Sequence, residues 1–297
     1  MSSKPVVSCI ITTYNRKDLL KRCLISIINQ EYKKYEIIVI DDASTDGTYK
    51  FLQRFIKKNL KKDQNINIII IRNRTPKFAA ESRNIGAKFA RGKYLFFIDD
   101  DVELDKNCIK ELVDFMETRP NFVASTPLIH DTKGKVWNAG VRRAYLGFNF
   151  SHSVSSQEKY IVVDECITAY IISKKCFDKI GGYNGRFKFY YEESEMFHRL
   201  KKTTNKKIAC VLGAKAYHHI QRDKLWKISP QKAYLLGRNR VWFYKGWCSS
   251  TTHYILCVIT WVILCTTFYL MNFIKHRNLN AFKFLMRGVK DGLFTLP

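Results

Sequence analysis

The nine cysteines of this 297-residue chain include no Cys-x-x-Cys pair. They are odd in number and scattered, so neither a disulfide framework nor a zinc-ligand spacing emerges. Cys9, Cys210, Cys257 and Cys265 sit in apolar runs, where a thiol packs as a small hydrophobe. This usage predicts a reduced, cytosolic setting. No Gly-x-Gly-x-x-Gly follows the first predicted strand, and no Gly-Lys-Ser/Thr loop occurs anywhere, which disfavours a dinucleotide oxidoreductase and a P-loop NTPase. Acids are scarce late in the chain. From Lys201 onward 17 Lys+Arg face only Asp223 and Asp291, so +15 of the total +25 falls in the last 97 residues. A basic final third predicts an anionic partner, either a membrane surface or nucleic acid. The plainer reading is a solvated lysine-rich surface. No RNA- or DNA-binding motif accompanies the charge, so nucleic acid is not the expected partner. The first predicted strand starts within a few residues of Met1, so no signal peptide is expected.

What is present is a repeating pattern. With 46% hydrophobic residues the chain can build one large α/β domain or two smaller ones. Val6–Thr12, Glu36–Ile40, Ile66–Ile71 and Tyr94–Ile98 read as short buried strands. Helical spacing separates them: Leu19 to Ile28, Tyr49 to Ile56, and Ala80 to Ala90. The order β-α-β-α-β-α-β with short connections predicts a mostly parallel sheet flanked by helices. Ligands of such sheets bind outside the carboxyl ends of the strands. Tyr14, Asp42 and the run Asp99-Asp100-Asp101 fall there. By strand alternation Asp99 and Asp101 should point one way and Asp100 the other. Packed carboxylates call for a positive group between them, and a divalent cation is the usual one. The bland reading is a polar turn, with Asp105 capping a helix from Lys106 to Met116.

At these residues the sequence resembles family 2 glycosyltransferases of the GT-A fold. The resemblance rests on Thr13-Tyr14-Asn15-Arg16, on Asp41-Asp42-x-Ser44-Thr45-Asp46-Gly47-Thr48, on Arg83-Asn84-x-Gly86, and on Asp99-Asp100-Asp101, in register over about the first hundred residues. It implies a nucleotide-sugar donor. Thr13 and Tyr14, with Asn15 beside them, would line the base, and Asp42 would accept a hydrogen bond from the base ring. Asp99 and Asp100 would contact ribose and diphosphate, with Arg83 part of the same site. Asp101 would hold a divalent metal, Mg2+ or Mn2+. The local alternatives are N-capping and turn formation for Asp42 and Ser44, and a solvent-facing helical arginine for Arg83.

Beyond Pro120 a hairpin is predicted from Ser125–His130 and a strand from Val136 toward Gly140, across the turn Asp131–Gly134. Residues 141–160 lack a clear period and predict a mobile loop near the acceptor. Where many relatives carry a glycine-rich turn, this chain has Cys166-Ile167-Thr168-Ala169. Gly181-Gly182-Tyr183-Asn184 and Glu192-Glu193 resemble the family's acceptor-side segment, with Glu193 in place of an aspartate. Glu193 would take the proton from the acceptor hydroxyl. Its plain alternative is a first-turn acid favoured by the helix dipole. Of His218-His219, only one can face the crevice, and the resemblance makes His218 the second metal ligand. Arg238-Asn239 resembles a pairing of rhamnosyltransferase-like members.

From Gly246 to Ile274 there is no Asp, Glu, Lys or Arg, and 17 of the 21 residues Tyr254–Ile274 are apolar. The segment is just long enough to cross a bilayer, yet basic residues flank both ends. It predicts membrane attachment, by a single crossing or by helices in the interface; a core helix is the soluble alternative. The sequence therefore divides into a nucleotide-sugar-binding half (1–105), an acceptor-binding and catalytic half of the same domain (106–225), and basic, hydrophobic helices (226–297). The expected function is inverting, metal-dependent sugar transfer to a lipid-linked or cell-surface glycan at the cytoplasmic face of the cell membrane. Alternatives are transfer onto a polyprenyl phosphate, and a non-catalytic protein binding nucleotide sugars or nucleic acid.

Overall fold

Continuous Ile, Val and Phe runs have no polar face to give to water, so they become strands covered on both sides. The computed structural model describes residues 4–60, 66–150, 154, 158–219 and 227–297. Its first half alternates β1 (Val7–Thr13), α1 (Lys17–Ile28), β2 (Tyr35–Asp41), α2 (Thr48–Leu60), β3 (Asn67–Arg72), α3 (Phe78–Phe89) and β4 (Tyr94–Asp99). A short β5 (Val102–Leu104) leads to α4 (Cys108–Thr118), two residues later than the expected start. There Asp105 accepts from the Asn107 N–H, making a turn rather than a cap.

The second half holds β6 (Phe122–Asp131), β7 (Val136–Asn138), β8 (Arg142–Arg143), β9 (Asn149–Phe150), β10 (Tyr160–Val163), β11 (Ala169–Ser173), α5 (Lys174–Lys179), α6 (Glu192–Thr204) and β12 (Lys207–His218). The expected hairpin is β6–β7, with Ile129 opposite Asn138. The expected loop at 141–160 contains the paired strands β8 and β9, and part of it lies outside the described residues. One sheet joins both halves in the order β10-β12-β6-β11-β4-β1-β2-β3. β3, β2, β1 and β4 run parallel, and β11 lies antiparallel to both β4 and β6. Helices α1, α2 and α4 cover one face through Leu20, Leu24, Leu52, Ile109 and Leu112. Helices α3, α5 and α6 cover the other through Ala80, Ala87, Phe177, Phe197 and Leu200. Each fully buried Ile or Phe of these layers contributes about 1.5–3 kcal/mol.

From β1 the chain winds outward to β2 and β3, then returns to place β4 on the other side of β1. The crevice at that reversal is where ligands enter such sheets. Register brings the strand ends level there, with Thr13 opposite Asp41 and Thr12 opposite Asp99. At the opposite end Glu36 is fully buried and accepts from the Ser8 hydroxyl at 2.7 Å and the Arg91 N–H and guanidinium at 2.7 and 2.9 Å. That carboxylate is fully paired and ties three elements together.

The C-terminal helices are α7 (Pro230–Trp247), α8 (Thr251–Thr260), α9 (Thr266–Lys275) and α10 (Leu279–Phe294); a π turn joins α8 and α9 into one rod, Thr251–Lys275. α7 and α10 cross at backbone distance. A Cβ on Gly288 would collide with the Tyr234 carbonyl, and one on Gly237 with that of Leu285.

Candidate active site

The acid run does not alternate as expected. β4 stops at Asp99 and the chain turns at Asp100–Asp101, so the two-residue period of a strand no longer applies. Asp99 turns to Arg83 at 2.7 Å, while one nitrogen of Arg16 bridges Asp100 at 3.0 Å and Asp101 at 2.9 Å. The Thr13 hydroxyl donates to the second Asp100 oxygen at 2.6 Å. Burial pushes the Asp100 carboxyl up to about 7 against the pull of Arg16. Burial also pushes Asp101 up, but the His218 ring and Arg16 bring it below the usual carboxylate range.

β5 pairs antiparallel with the end of β12, setting His218 opposite Val102. His218 Nε2 thereby lies 3.2 Å from Asp101 Oδ1, while His219 turns the other way, 2.6 Å from Glu103. Asp101 Oδ1 is buried, and the His218 ring nitrogen faces it. A carboxylate oxygen and an imidazole nitrogen facing each other at this separation are the donor set a borderline or hard divalent cation takes. Trp137 packs edge-on against the His218 ring at 4.5 Å. The residues fit a metal.

Arg83, Asn84 and Gly86 each have a distinct task on α3. Arg83 is buried rather than solvent-facing, and its guanidinium reaches Asp99, Glu192 and Glu193 at 2.7, 3.3 and 3.3 Å over the Tyr183 ring. Asn84 exchanges two hydrogen bonds with the Tyr183 backbone, at 2.8 and 2.9 Å, and so pins the Gly181–Asn184 turn. Gly86 packs on β1 and β2, where a Cβ would sit 2.6 Å from Ile10 and 2.7 Å from Ile40. The helix therefore holds Arg83 between the end of β4 and the start of α6. Five carboxylates in this crevice face two guanidiniums. Burial raises Asp99, Glu192 and, most strongly, Glu193, whose buried Oε1 faces Arg83.

The turn that delivers Glu193 is strained. Lys188, Tyr190 and Tyr191 have φ of +61°, +66° and +63°, a region non-glycine residues seldom occupy. Asn239 of α7, fully buried, holds it by donating to the carbonyls of Phe187, Phe189 and Tyr190 at 2.6, 2.9 and 2.9 Å. Thr168 takes φ +74°, the conformation a glycine would favour, and its carbonyl accepts the Asp99 N–H at 2.8 Å.

On the β1–β2 side, Asp42 is buried and accepts from Asn73, Lys77 N–H, Ser82 and Phe78 N–H at 2.7 to 3.0 Å. It closes the loop that opens α3. Asn15 clamps the 43–46 loop, its side chain accepting from the Thr45 N–H at 2.7 Å and its N–H donating to Ser44 at 3.0 Å. Tyr14 is half exposed beside them. The structure thus gathers Thr13, Tyr14, Asn15, Asp42, Asp99, Asp100, Asp101, Arg83, Glu193 and His218 around one crevice.

Sequence reasoning quoted Arg16, Tyr183 and Glu192 within motifs but gave them no site role, and it missed Trp137. The signal for Arg16 was present, because packed aspartates require a cation and Arg16 stands in the first motif. Lys232 was also missed: burial first, then the charge of Arg16, lowers its pKa. The expectation of no zinc site rests on spacing along the chain, which does not register neighbours in space. Cys248, His253 and Cys257 offer ligand atoms within 4.8 Å of one another. Both His253 ring nitrogens are nonetheless engaged, by the Tyr145 carbonyl at 2.5 Å and the Ser249 N–H at 3.2 Å.

The family described as glycosyl transferase family 2 matches residues 8–181. An Escherichia coli relative, UDP-Glc:alpha-D-GlcNAc-diphosphoundecaprenol beta-1,3-glucosyltransferase WfaP, is 38% identical over 117 residues, 39% of this chain and 43% of the relative. A Bacillus spizizenii poly(ribitol-phosphate) beta-glucosyltransferase is 37% identical over 97 residues, 32% of this chain and 14% of the relative. The chain thus matches less than half the length of these relatives. Among solved structures, S. aureus TarS 1–349 in complex with UDP-GlcNAc superposes with a TM-score of 0.64 at 16% identity, covering 98% of this chain and 81% of that one. The Pyrobaculum calidifontis mannosyltransferase PcManGT, in complex with GDP-Man and Mn2+, gives 0.62 at 13%, covering 98% and 88%. The sheet, its switch point and a family match over more than half of the residues agree: the chain belongs to glycosyl transferase family 2 and has the GT-A fold.

Proposed function

We propose that the chain is an inverting, metal-dependent glycosyltransferase that moves a hexosyl or deoxyhexosyl group from a nucleotide-diphosphate sugar to a lipid-linked or cell-surface glycan. The observation that carries this reading is the link Asp99–Arg83–Glu193. It ties a buried carboxylate of raised pKa to the acid cluster at the switch point of the sheet. In this reading residues 1–105 bind the donor and 106–225 the acceptor. Thr13, Tyr14 and Asn15 line the base above Asp42, while Asp99 and Asp100 meet ribose and diphosphate. Asp101 and His218 would hold Mg2+ or Mn2+, which supplies positive charge to the departing diphosphate. Arg16, with a side chain 45% exposed, is free to turn from the aspartates to that diphosphate. Glu193 takes the acceptor hydroxyl proton as the oxygen attacks the anomeric carbon from the face opposite the leaving group. The relatives support the substrate classes, since one is named for a diphosphoundecaprenol-linked acceptor and a structural neighbour carries GDP-Man with Mn2+.

Thermal shift with a panel of nucleotide sugars, with and without Mn2+, tests the donor half without an acceptor. A ligand at a hundred times its Kd stabilises the folded state by about 2.7 kcal/mol. The expected result is a metal-dependent shift with one nucleotide, lost in Asp101→Ala. Folded protein that shifts with none of them would refute the proposal.

A further inference from the structure

The rod Thr251–Lys275 is long and apolar enough to cross a bilayer. The way it packs argues for another geometry. Its inner face docks at two places: Cys257 and Trp261 enter a cluster with Val241 and Tyr244 of α7, and Phe273 enters one with Ala233, Ala281 and Leu285. Its outer face carries Ile255, Ile259, Ile263, Phe268, Met271 and Ile274, each 48% to 65% exposed. An apolar stripe of this length is unusual on a surface meant for water. Spanning in the docked position would carry α7 and α10 into the hydrocarbon, together with Arg238, Arg240, Lys283, Arg287 and Lys290, and charged groups are strongly disfavoured there.

The neighbouring helix adds the second observation. Leu279, Lys283, Arg287, Lys290 and Phe294 of α10 recur at helical spacing and are all exposed, so one face shows three cations between two apolar residues. Lys275 and Arg277 extend the positive charge across the turn between the rod and α10. Apolar stripe and adjoining cations complement a bilayer with anionic headgroups.

We infer that the outer faces of the Thr251–Lys275 rod and α10 form a docking surface for an anionic lipid bilayer, with the rod lying in the plane of the interface and not across it. The proposal stands independently of the transferase reading, because docking needs no donor. It also places the acceptor side near the lipid: the Tyr145 ring stacks on His253 of α8 at 4.1 Å, and Arg143 of the same loop lies over the Phe243 and Trp247 rings of α7.

The test is co-sedimentation of the full chain with preformed vesicles of phosphatidylcholine alone or mixed with phosphatidylglycerol. We expect binding to the mixed vesicles, reversed by high salt and by alkaline carbonate. The surface variants Ile259→Glu/Ile263→Glu and Lys283→Glu/Arg287→Glu should each lower the partition coefficient roughly tenfold or more while the melting temperature stays that of the parent. Absence of binding to either vesicle overturns the proposal. So does carbonate-resistant insertion, which would mean a crossing. Failure to bind combined with a dimer that Ile259→Glu/Ile263→Glu dissociates would assign the stripe to a second copy of the chain instead.

Discussion

Removing the charge of Arg83 while keeping its bulk, as in Arg83→Met, exposes how the crevice is held together. The guanidinium is only 6% exposed and is shared by Asp99, Glu192 and Glu193. Asp99, at 32% exposure, can turn to water, so the loss falls on Glu192 and Glu193, at 7% and 14%. Taking one partner from a buried ion pair costs about 3–5 kcal/mol. Burial already raises both glutamates, and loss of Arg83 raises them further. A carboxyl with a raised folded pKa holds its proton more tightly in the native state. Its penalty is absent below the unfolded-state pKa, grows as pH climbs from there to the folded pKa, and levels off above it. Arg83→Met should therefore lose about 3–5 kcal/mol near pH 7.5 but only about 1–2 kcal/mol near pH 5, where lost hydrogen bonding remains. Urea unfolding at both pH values measures this directly. A loss that is equal at both, or under about 0.5 kcal/mol near neutrality, would refute the reasoning.

Glu193→Gln should lower kcat about a hundredfold to ten-thousandfold while leaving the donor thermal shift intact; unchanged turnover would favour an acceptor that is already anionic, such as a polyprenyl phosphate. Because burial raises Glu193, wild-type activity should fall as pH drops while still above the ordinary glutamate pKa, and in Arg83→Met that acid limb should move to higher pH. Asn239→Ala leaves three carbonyls of the strained 187–190 turn without their donor, so stability should drop by about 1–3 kcal/mol or more and kcat should fall more than donor affinity, checked by unfolding and steady-state kinetics. Gly288→Leu must push α7 and α10 apart, with a loss of at least about 1–3 kcal/mol seen in a lowered melting temperature.

The parallel half of the sheet was legible because Ile-rich runs such as Glu36–Ile40 and Tyr94–Ile98 have one way to be buried, and the helices between them leave one plausible order. The second half was harder. The stretch 162–173 is two strands, β10 and β11, parted at residues 164–168, where Asp164-Glu165 interrupts the apolar run and Thr168 turns the chain. Motif positions were also legible; their partners were not. Asp42 reads as a ligand-facing or capping acid from sequence, and only the fold shows four donors converging on it from residues 73 to 82.

Local chemistry, then, belongs to the sequence: which runs are strands, which turns are acidic, and that the last third is basic and partly apolar. These depend on residues within a few positions of one another. Tertiary structure decided what each charge meets. Arg16 bridges aspartates more than eighty positions away, Arg83 reaches glutamates more than a hundred away, and the Thr251–Lys275 rod docks one face on α7 and α10 while leaving the other bare. Such pairings follow from strand order and helix packing, which no window along the chain contains.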